Sequence, residues 1–102
     1  METKLTEMEI EKWRIKRKII DMDLVQDELK LYLNKRSILF REFVKIDNEL
    51  YCHISKGLLY INELDKIKEI ALLYNFIFVS VYPFNDEELI LYFKYKNYDV
   101  KV

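Results

Sequence analysis

Glycine and proline occur once each in 102 residues, at Gly57 and Pro83, and the single cysteine, histidine and tryptophan are Cys52, His53 and Trp13. One glycine leaves no material for a glycine-rich phosphate loop. With so little glycine and proline, long flexible linkers are also excluded and connections must be short. One cysteine excludes an intrachain disulfide and reads as an intracellular context. One histidine and one cysteine are too few for a zinc site. Neither sign of charge dominates: 17 Lys plus Arg stand against 18 Asp plus Glu, and a net charge of −1 favours no polyanion as default partner. The longest apolar run, "ALLYNFIFVSVYPF" (71–84), is broken by Asn75 and Ser80 and reads as a helix end running into a strand. The opening "METKLTEMEIEKW" is too charged for a signal peptide, so a cytoplasmic protein with no membrane partner is expected.

What is present suits a folded globule. Hydrophobic residues make up 51%, aromatic residues 15% and charged residues 34%. At this length roughly two thirds of the unfolded surface can be buried, enough for one modest core, and 1–102 reads as one domain. "TEME" fits a capping box with Thr6 as N-cap and Glu9 at its third position, opening a helix over 6–33 that Asn34 ends in a left-handed conformation. "DMD" (21–23) either caps a second helix there or is carried through. "SILFREFVKI", the turn "DN" and the alternating "ELYCHISK" form a hairpin over 37–56. Asn62 is an N-cap candidate for a helix over 62–74, with Leu64, Ile67, Ile70, Ala71 and Tyr74 on one face and Asn75 as its stop. "FIFVSVY", the turn "PFNDE" and "ELILYFKYK" form a second hairpin over 76–96, and the tail "NYDVKV" is short.

The order helix–strand–strand thus occurs twice, in motifs 1–57 and 58–102. Asn34 aligns with Asn75, Ile38 with Ile77, and Glu49–Leu50 with Glu88–Leu89. One αββ unit cannot cover its own sheet. The predicted fold is therefore α+β: two αββ motifs joined in a four-stranded antiparallel sheet with the helices on one face. Leu50, Cys52 and Ile54, and likewise Leu89, Leu91 and Phe93, are assigned to the core.

Cys52 and His53 are the one pairing that suggests nucleophilic chemistry. On a strand, adjacent side chains point to opposite faces, so they cannot form a thiolate–imidazole pair. Cys52 is expected in the core and His53 on the surface beside Tyr51. No catalytic residue, metal or cofactor is expected. "NDEE" and "DMD" read as turn and cap residues, without the spacing of a calcium loop. The basic run Lys12, Arg14, Lys16, Arg17 and Lys18, with Trp13 inside it, is the best nucleic-acid signal. Helical spacing spreads these cations around the axis and sets Glu9 near Lys12, Glu11 near Arg14 and Asp21 near Arg17 or Lys18.

The first helix carries two apolar stripes. Leu5, Met8, Ile15, Ile19, Met22 and Leu29 form one, in which the heptad spacing of Met8, Ile15, Met22 and Leu29 permits a short coiled coil. Ile10, Trp13, Ile20, Leu24 and Leu31 form another about 150° away. One stripe suffices to pack on a sheet, so the second is covered either by the other helix or by a partner chain. Eight tyrosines and six phenylalanines exceed what a small core holds, leaving aromatics on the outer sheet face beside strand edges that suit peptide capture.

The Lys/Glu/Ile/Tyr-rich composition, in stretches such as "KIKEIALLYN" and "ELILYFKYKN", resembles small proteins of hyperthermophilic archaeal viruses, the Acidianus filamentous viruses among them. That resemblance implies a host cytoplasm, a hot environment and no enzymatic role; Lys/Glu enrichment accords with thermophily. The reading favoured here is a non-enzymatic interaction module that binds a peptide or partner segment at a groove or sheet edge between its motifs and self-associates. Its candidate contacts are Trp13, Ile20, Tyr51, His53, Ile90 and Tyr92. The alternative is a nucleic-acid-binding viral accessory protein that uses the basic stretch of the first helix.

Overall fold

Thr6, in extended conformation, accepts the Glu9 amide on its hydroxyl at 3.2 Å and opens α1, Glu7–Lys35, as its position before "EME" anticipates. Glu7 and Glu9 in the first turn and Lys35 in the last complement the helix dipole. The computed structural model describes residues 6–55 and 59–96. Leu5 of the first stripe, the predicted end of the first hairpin at Lys56 and the tail "NYDVKV" lie outside the described residues.

α1 is continuous through Asp21–Asp23, so "DMD" caps nothing. It also runs past Asn34, the expected stop. The left-handed residue is Ser37, at φ 58°. Its amide donates to the Asn34 carbonyl at 3.1 Å, and the Ile38 amide donates to the Leu33 carbonyl at 2.8 Å. This pair of bonds is a Schellman motif, and its apolar contact is made by Ile38 and Leu33, both buried.

β1 (Phe40–Ile46) and β2 (Glu49–Ser55) follow, joined at the expected "DN" turn with Asp47 at φ 51°. Next come α2 (Ile61–Leu73), β3 (Phe76–Pro83) and β4 (Glu88–Tyr95). The N-cap of α2 is Tyr60, with no side-chain capping bond, so Asn62 lies inside the helix and not at its cap. Asn75, at φ 66°, ends α2 as expected.

The sheet order is β1-β2-β4-β3, antiparallel throughout, and the two αββ motifs meet where β2 pairs with β4 over Glu49↔Lys94 to Ser55↔Glu88. Val25, Leu29 and Leu33 of α1 and Ile67 and Ala71 of α2 pack on one face of the sheet, against Leu50, Cys52, Ile54, Phe76, Leu91 and Phe93. The doubled pattern is clearer in burial than in letters. Val25, Leu29 and Leu33 occupy the places that Glu63, Ile67 and Ala71 occupy in α2, and Ser37 the place of Asn75. The helix alignment that matched Asn34 with Asn75 is therefore three residues out, whereas Glu49 and Glu88 do each open the second strand of their motif.

α1 outruns the sheet. Its 29 residues span about 43 Å, whereas eight strand residues span roughly 26 Å. Lys18 Nζ donates to Asn48 Oδ1 in the β1–β2 turn at 3.0 Å, which marks the sheet's end along the helix. None of Glu7–Ile20 is buried, so almost four turns run on from the core as an arm. The first stripe consequently splits: Met22 and Leu29 are core, but Met8, Ile15 and Ile19 are exposed, so no one coiled-coil seam can use Met8, Ile15, Met22 and Leu29 together.

A left-handed serine carries a steric penalty that glycine avoids. Ser37→Gly is expected to raise the unfolding free energy by about 1 kcal/mol, read as a higher denaturant midpoint at unchanged slope. A lower midpoint would show that the serine conformation is unstrained.

Candidate functional site

Two-residue alternation along β2 and β4 sets Tyr51 opposite Tyr92 and His53 opposite Ile90, so four of the six candidate contacts meet on the outer sheet face at the junction of the motifs. The Tyr51 and Tyr92 rings stack, with centroids 4.9 Å apart and planes within 7°. Both hydroxyls donate to Glu49, Tyr51 to Oε2 and Tyr92 to Oε1, each at 2.7 Å. These hydrogen bonds hold the Glu49 carboxyl below the usual range. They also raise Tyr51 and, with burial, push Tyr92 up to about 12. Tyr82 of β3 extends the row, 6.3 Å from Tyr92.

His53 is on the expected face but not at the surface. "NDEE" folds back because Asn85 Oδ1 accepts the amides of Glu87 and Glu88 at 2.8 and 2.9 Å. That turn lays Phe84 edge-on over the imidazole, with centroids 4.4 Å apart, and leaves His53 6% exposed. Glu88 Oε2 stands 2.5 Å from Nε2, in ion-pair range but without the alignment of a hydrogen bond. Arg41 closes the cluster beside Glu88 and Phe84. His53 thus lies beneath the surface and supports it, where a surface position was expected. Cys52 points to the opposite face and is core, and burial pushes its thiol up to about 12, far from a nucleophile's range.

Trp13 and Ile20 are half-exposed on α1 and do not join the sheet cluster. Their stripe is partly exposed: Trp13, Ile20, Leu24 and Leu31 each keep accessible surface. The basic residues divide. Arg17 Nε reaches Asp21 Oδ1 at 3.3 Å and Lys18 reaches Asn48. Lys12 and Lys16 flank an apolar recess with Glu9, Trp13 and Ile15, while Arg14 faces Glu11, Lys18 and Asn48 on the other side. They form no single phosphate track. Of the three ion pairs expected on this helix, Arg17–Asp21 closes.

Two buried acids escaped the sequence reading. Asp21, with no exposed surface, accepts from the Tyr95 hydroxyl at 2.6 Å and from Asn75 Nδ2 at 3.1 Å. Burial first, then this bond to Asp21, raises the Tyr95 hydroxyl. Glu63 accepts from Arg36 Nη2 at 2.6 Å and from the Tyr32 hydroxyl. The Arg36 bond, followed by the Tyr32 bond, holds the Glu63 carboxyl below the usual range, and Tyr32 is pushed up to about 12 by burial and by Glu63. The available signal for Glu63 was its spacing of four and eight from Ile67 and Ala71, which places it on the core face. Tyr32, Arg36 and Glu63 line the shallow recess between the helices. On the sheet side the β2–β4 ladder closes the junction, so the expected edge between the motifs does not exist there; among the described residues the sheet's edge strands are β1 and β3.

No family model, curated protein or solved structure matches this chain. Among the described residues no group of three His, Cys, Asp or Glu side chains is placed to hold a metal ion, and no helix is long and apolar enough to cross a membrane.

Asp21→Ala leaves the Tyr95 hydroxyl and the Asn75 amide without their acceptor. It is expected to cost about 3–5 kcal/mol by chemical denaturation, and Tyr95→Phe about 1–2 kcal/mol. Equal losses would mean that the carboxylate's other partners contribute nothing. Glu63 and Glu49 are both held below the ordinary glutamate value of about 4.3. Their stabilisation is therefore full above that value and lost as pH falls through the folded pKa. Glu63→Gln is expected to make the fall in stability on acidification shallower than in the unmodified chain; an unchanged slope would show that the Arg36 pair does not act through folding.

Proposed function

We propose that this protein is a non-enzymatic interaction module that takes an extended partner segment along the β3 edge, over the outer aromatic face. One observation carries the reading: β3, "FIFVSVYP", is an edge strand of eight residues without a charged side chain, and Ile77, Val79 and Tyr82 are each close to half exposed. Edge strands are ordinarily guarded by charge, as β1 is by Arg41, Glu42 and Lys45. β3 relies instead on the irregularity between Phe78 and Ser80 and on Pro83 at its end. Those devices hinder indefinite strand stacking yet leave room for a short segment.

An added strand satisfies main-chain groups along the edge, and alternate side chains meet the apolar row of Ile77 and Tyr82 that continues to Tyr92 and Tyr51. Tyrosine suits such a role: it offers a large rigid ring with few rotamers to lose and a hydroxyl that remains paired, here on Glu49. The preferred partner is a peptide that alternates β-branched or aromatic residues with polar ones. The nucleic-acid reading gains no comparable support, since the helix cations are divided between two sides and interspersed with Glu9 and Glu11.

Selection from a random peptide display library tests the proposal. Alternating apolar sequences are expected, their binding weakened about tenfold or more by Val79→Lys and unaffected by Val44→Lys on the opposite edge. Failure to select any peptide, or binders indifferent to Val79→Lys, would sink it. Steeply salt-dependent retention of DNA or RNA, abolished by substituting Lys12 and Lys16, would install the alternative.

A further inference from the structure

Pairing with β4 fixes which way each β3 residue faces. Phe76, Phe78, Val81 and Pro83 lie opposite Tyr95, Phe93, Leu91 and Leu89 and share their inner side of the sheet. Ile77, Ser80 and Tyr82 lie opposite Lys94, Tyr92 and Ile90 on the outer side. Val79 is the extra residue at the step between Phe78 and Ser80, and it inverts the alternation halfway along the strand. The order of faces therefore reads the same from both ends about the point between Val79 and Ser80. In a regular strand, an axis between two residues sets inward positions against outward ones. Here it sets like against like.

α2, which packs on β3, carries the same symmetry in the helix layer. Its flank opposite Glu63 is turned towards β3, since Lys68 Nζ lies 4.6 Å from the Phe78 ring centroid. Ile61 and Leu72 on that flank are 83% and 62% exposed. Ile61, Asp65, Lys68 and Leu72 follow one another at spacings of four, three and four. The apolar residues stand at the ends with an acid and a base between them, symmetrically about the point between Lys66 and Ile67. From the Asn75 turn that point is about 13 Å back along α2, and the midpoint of β3 is about 15 Å along the strand. One axis therefore serves both layers.

We propose that the strand taken by the β3 edge is β3 of a second copy, antiparallel about this two-fold axis, so that two four-stranded sheets become one. The inference rests on the edge-binding reading above and names its partner. In this register Ile77 meets Tyr82 of the second copy, Phe78 meets Val81, and Val79 meets Ser80. On the helix layer Ile61 meets Leu72 and Asp65 meets Lys68, each contact occurring twice as an isologous interface requires. Glu69, the acid nearest to the incoming Asp65, is turned to Lys66 of its own helix at 3.6 Å. Parallel pairing would instead set Asp65 beside Asp65 and Lys68 beside Lys68. The assembly also closes at two copies. Once β3 is paired, the edge strands left among the described residues are the two copies of β1, which Arg41, Glu42 and Lys45 guard.

Sedimentation equilibrium of the full chain, charge exchange and disulfide trapping test it together. The expected mass is twice the 12.6 kDa of one chain, with concentration-dependent dissociation. Val79→Lys and Asp65→Lys are each expected to weaken the dimer about tenfold, and adding Lys68→Asp to Asp65→Lys to restore it; circular dichroism verifies that the variants fold. A mixture of Ile77→Cys and Tyr82→Cys chains is expected to cross-link on oxidation, and neither variant alone. Peptides selected on the β3 edge are expected to split the dimer. A chain that stays monomeric at the highest soluble concentration yet captures such peptides would overturn this inference and leave the edge-binding reading standing. Self-linking of Ile77→Cys, or a dimer indifferent to Val79→Lys, would overturn it as well.

Discussion

Asp21 is a carboxylate with no exposed surface, and several kcal/mol of lost hydration must be offset by what surrounds it. Besides Arg17 on its own helix, its partners come from the middle and the end of the second motif. Asn75 is the left-handed residue that stops α2, and Tyr95 is the last residue of β4. The same two residues are tied again through the backbone, Lys96 N to the Asn75 carbonyl and Tyr95 N to the Asn48 carbonyl. One buried acid thus fixes where α1 lies along the sheet and couples the stop of α2 to the end of β4. It also divides the helix. C-terminal to Asp21 the inner face is Met22, Val25, Leu29 and Leu33; N-terminal to it the same spacing brings Lys18, Arg14 and Glu11, which have no sheet to cover.

Local chemistry made much of this legible. Thr6 and Asn75 work as cap and stop because their neighbours allow it, and strand alternation places Cys52 and His53 on opposite faces without reference to the rest of the chain. What failed was decided elsewhere. Asn34 is the better left-handed residue by propensity, yet Ser37 takes that conformation because Ile38 then reaches the core beside Leu33. "DMD" reads as a cap because an aspartate in mid-helix ordinarily faces water. The partners that bury Asp21 lie 54 and 74 residues away. His53 has the right face but the wrong exposure, since Phe84 arrives from a turn in the other motif. Helical periodicity finds both stripes of α1 but carries no information about where the sheet beneath it ends.

The two motifs are alike in path and unlike in what they spend it on. Where α1 has Val25, α2 has Glu63, a buried acid in the first turn of its helix, held by Arg36 from just beyond the last turn of α1. Each charge complements the dipole at its own helix end, so the pair bridges a C-terminus and an N-terminus that would otherwise meet with unpaired groups. The substitution converts a position of pure packing in one repeat into the tie between repeats. The same asymmetry shows in length: α2 has 13 residues and α1 has 29.

Those additional turns need a physical reason. An isolated helical segment of about a dozen residues is marginal in water, and its stability in a protein comes from packing an apolar face. The arm has such faces and no sheet under them, so its order draws on continuity with the half of α1 that Asp21, Val25, Leu29 and Leu33 anchor on the sheet.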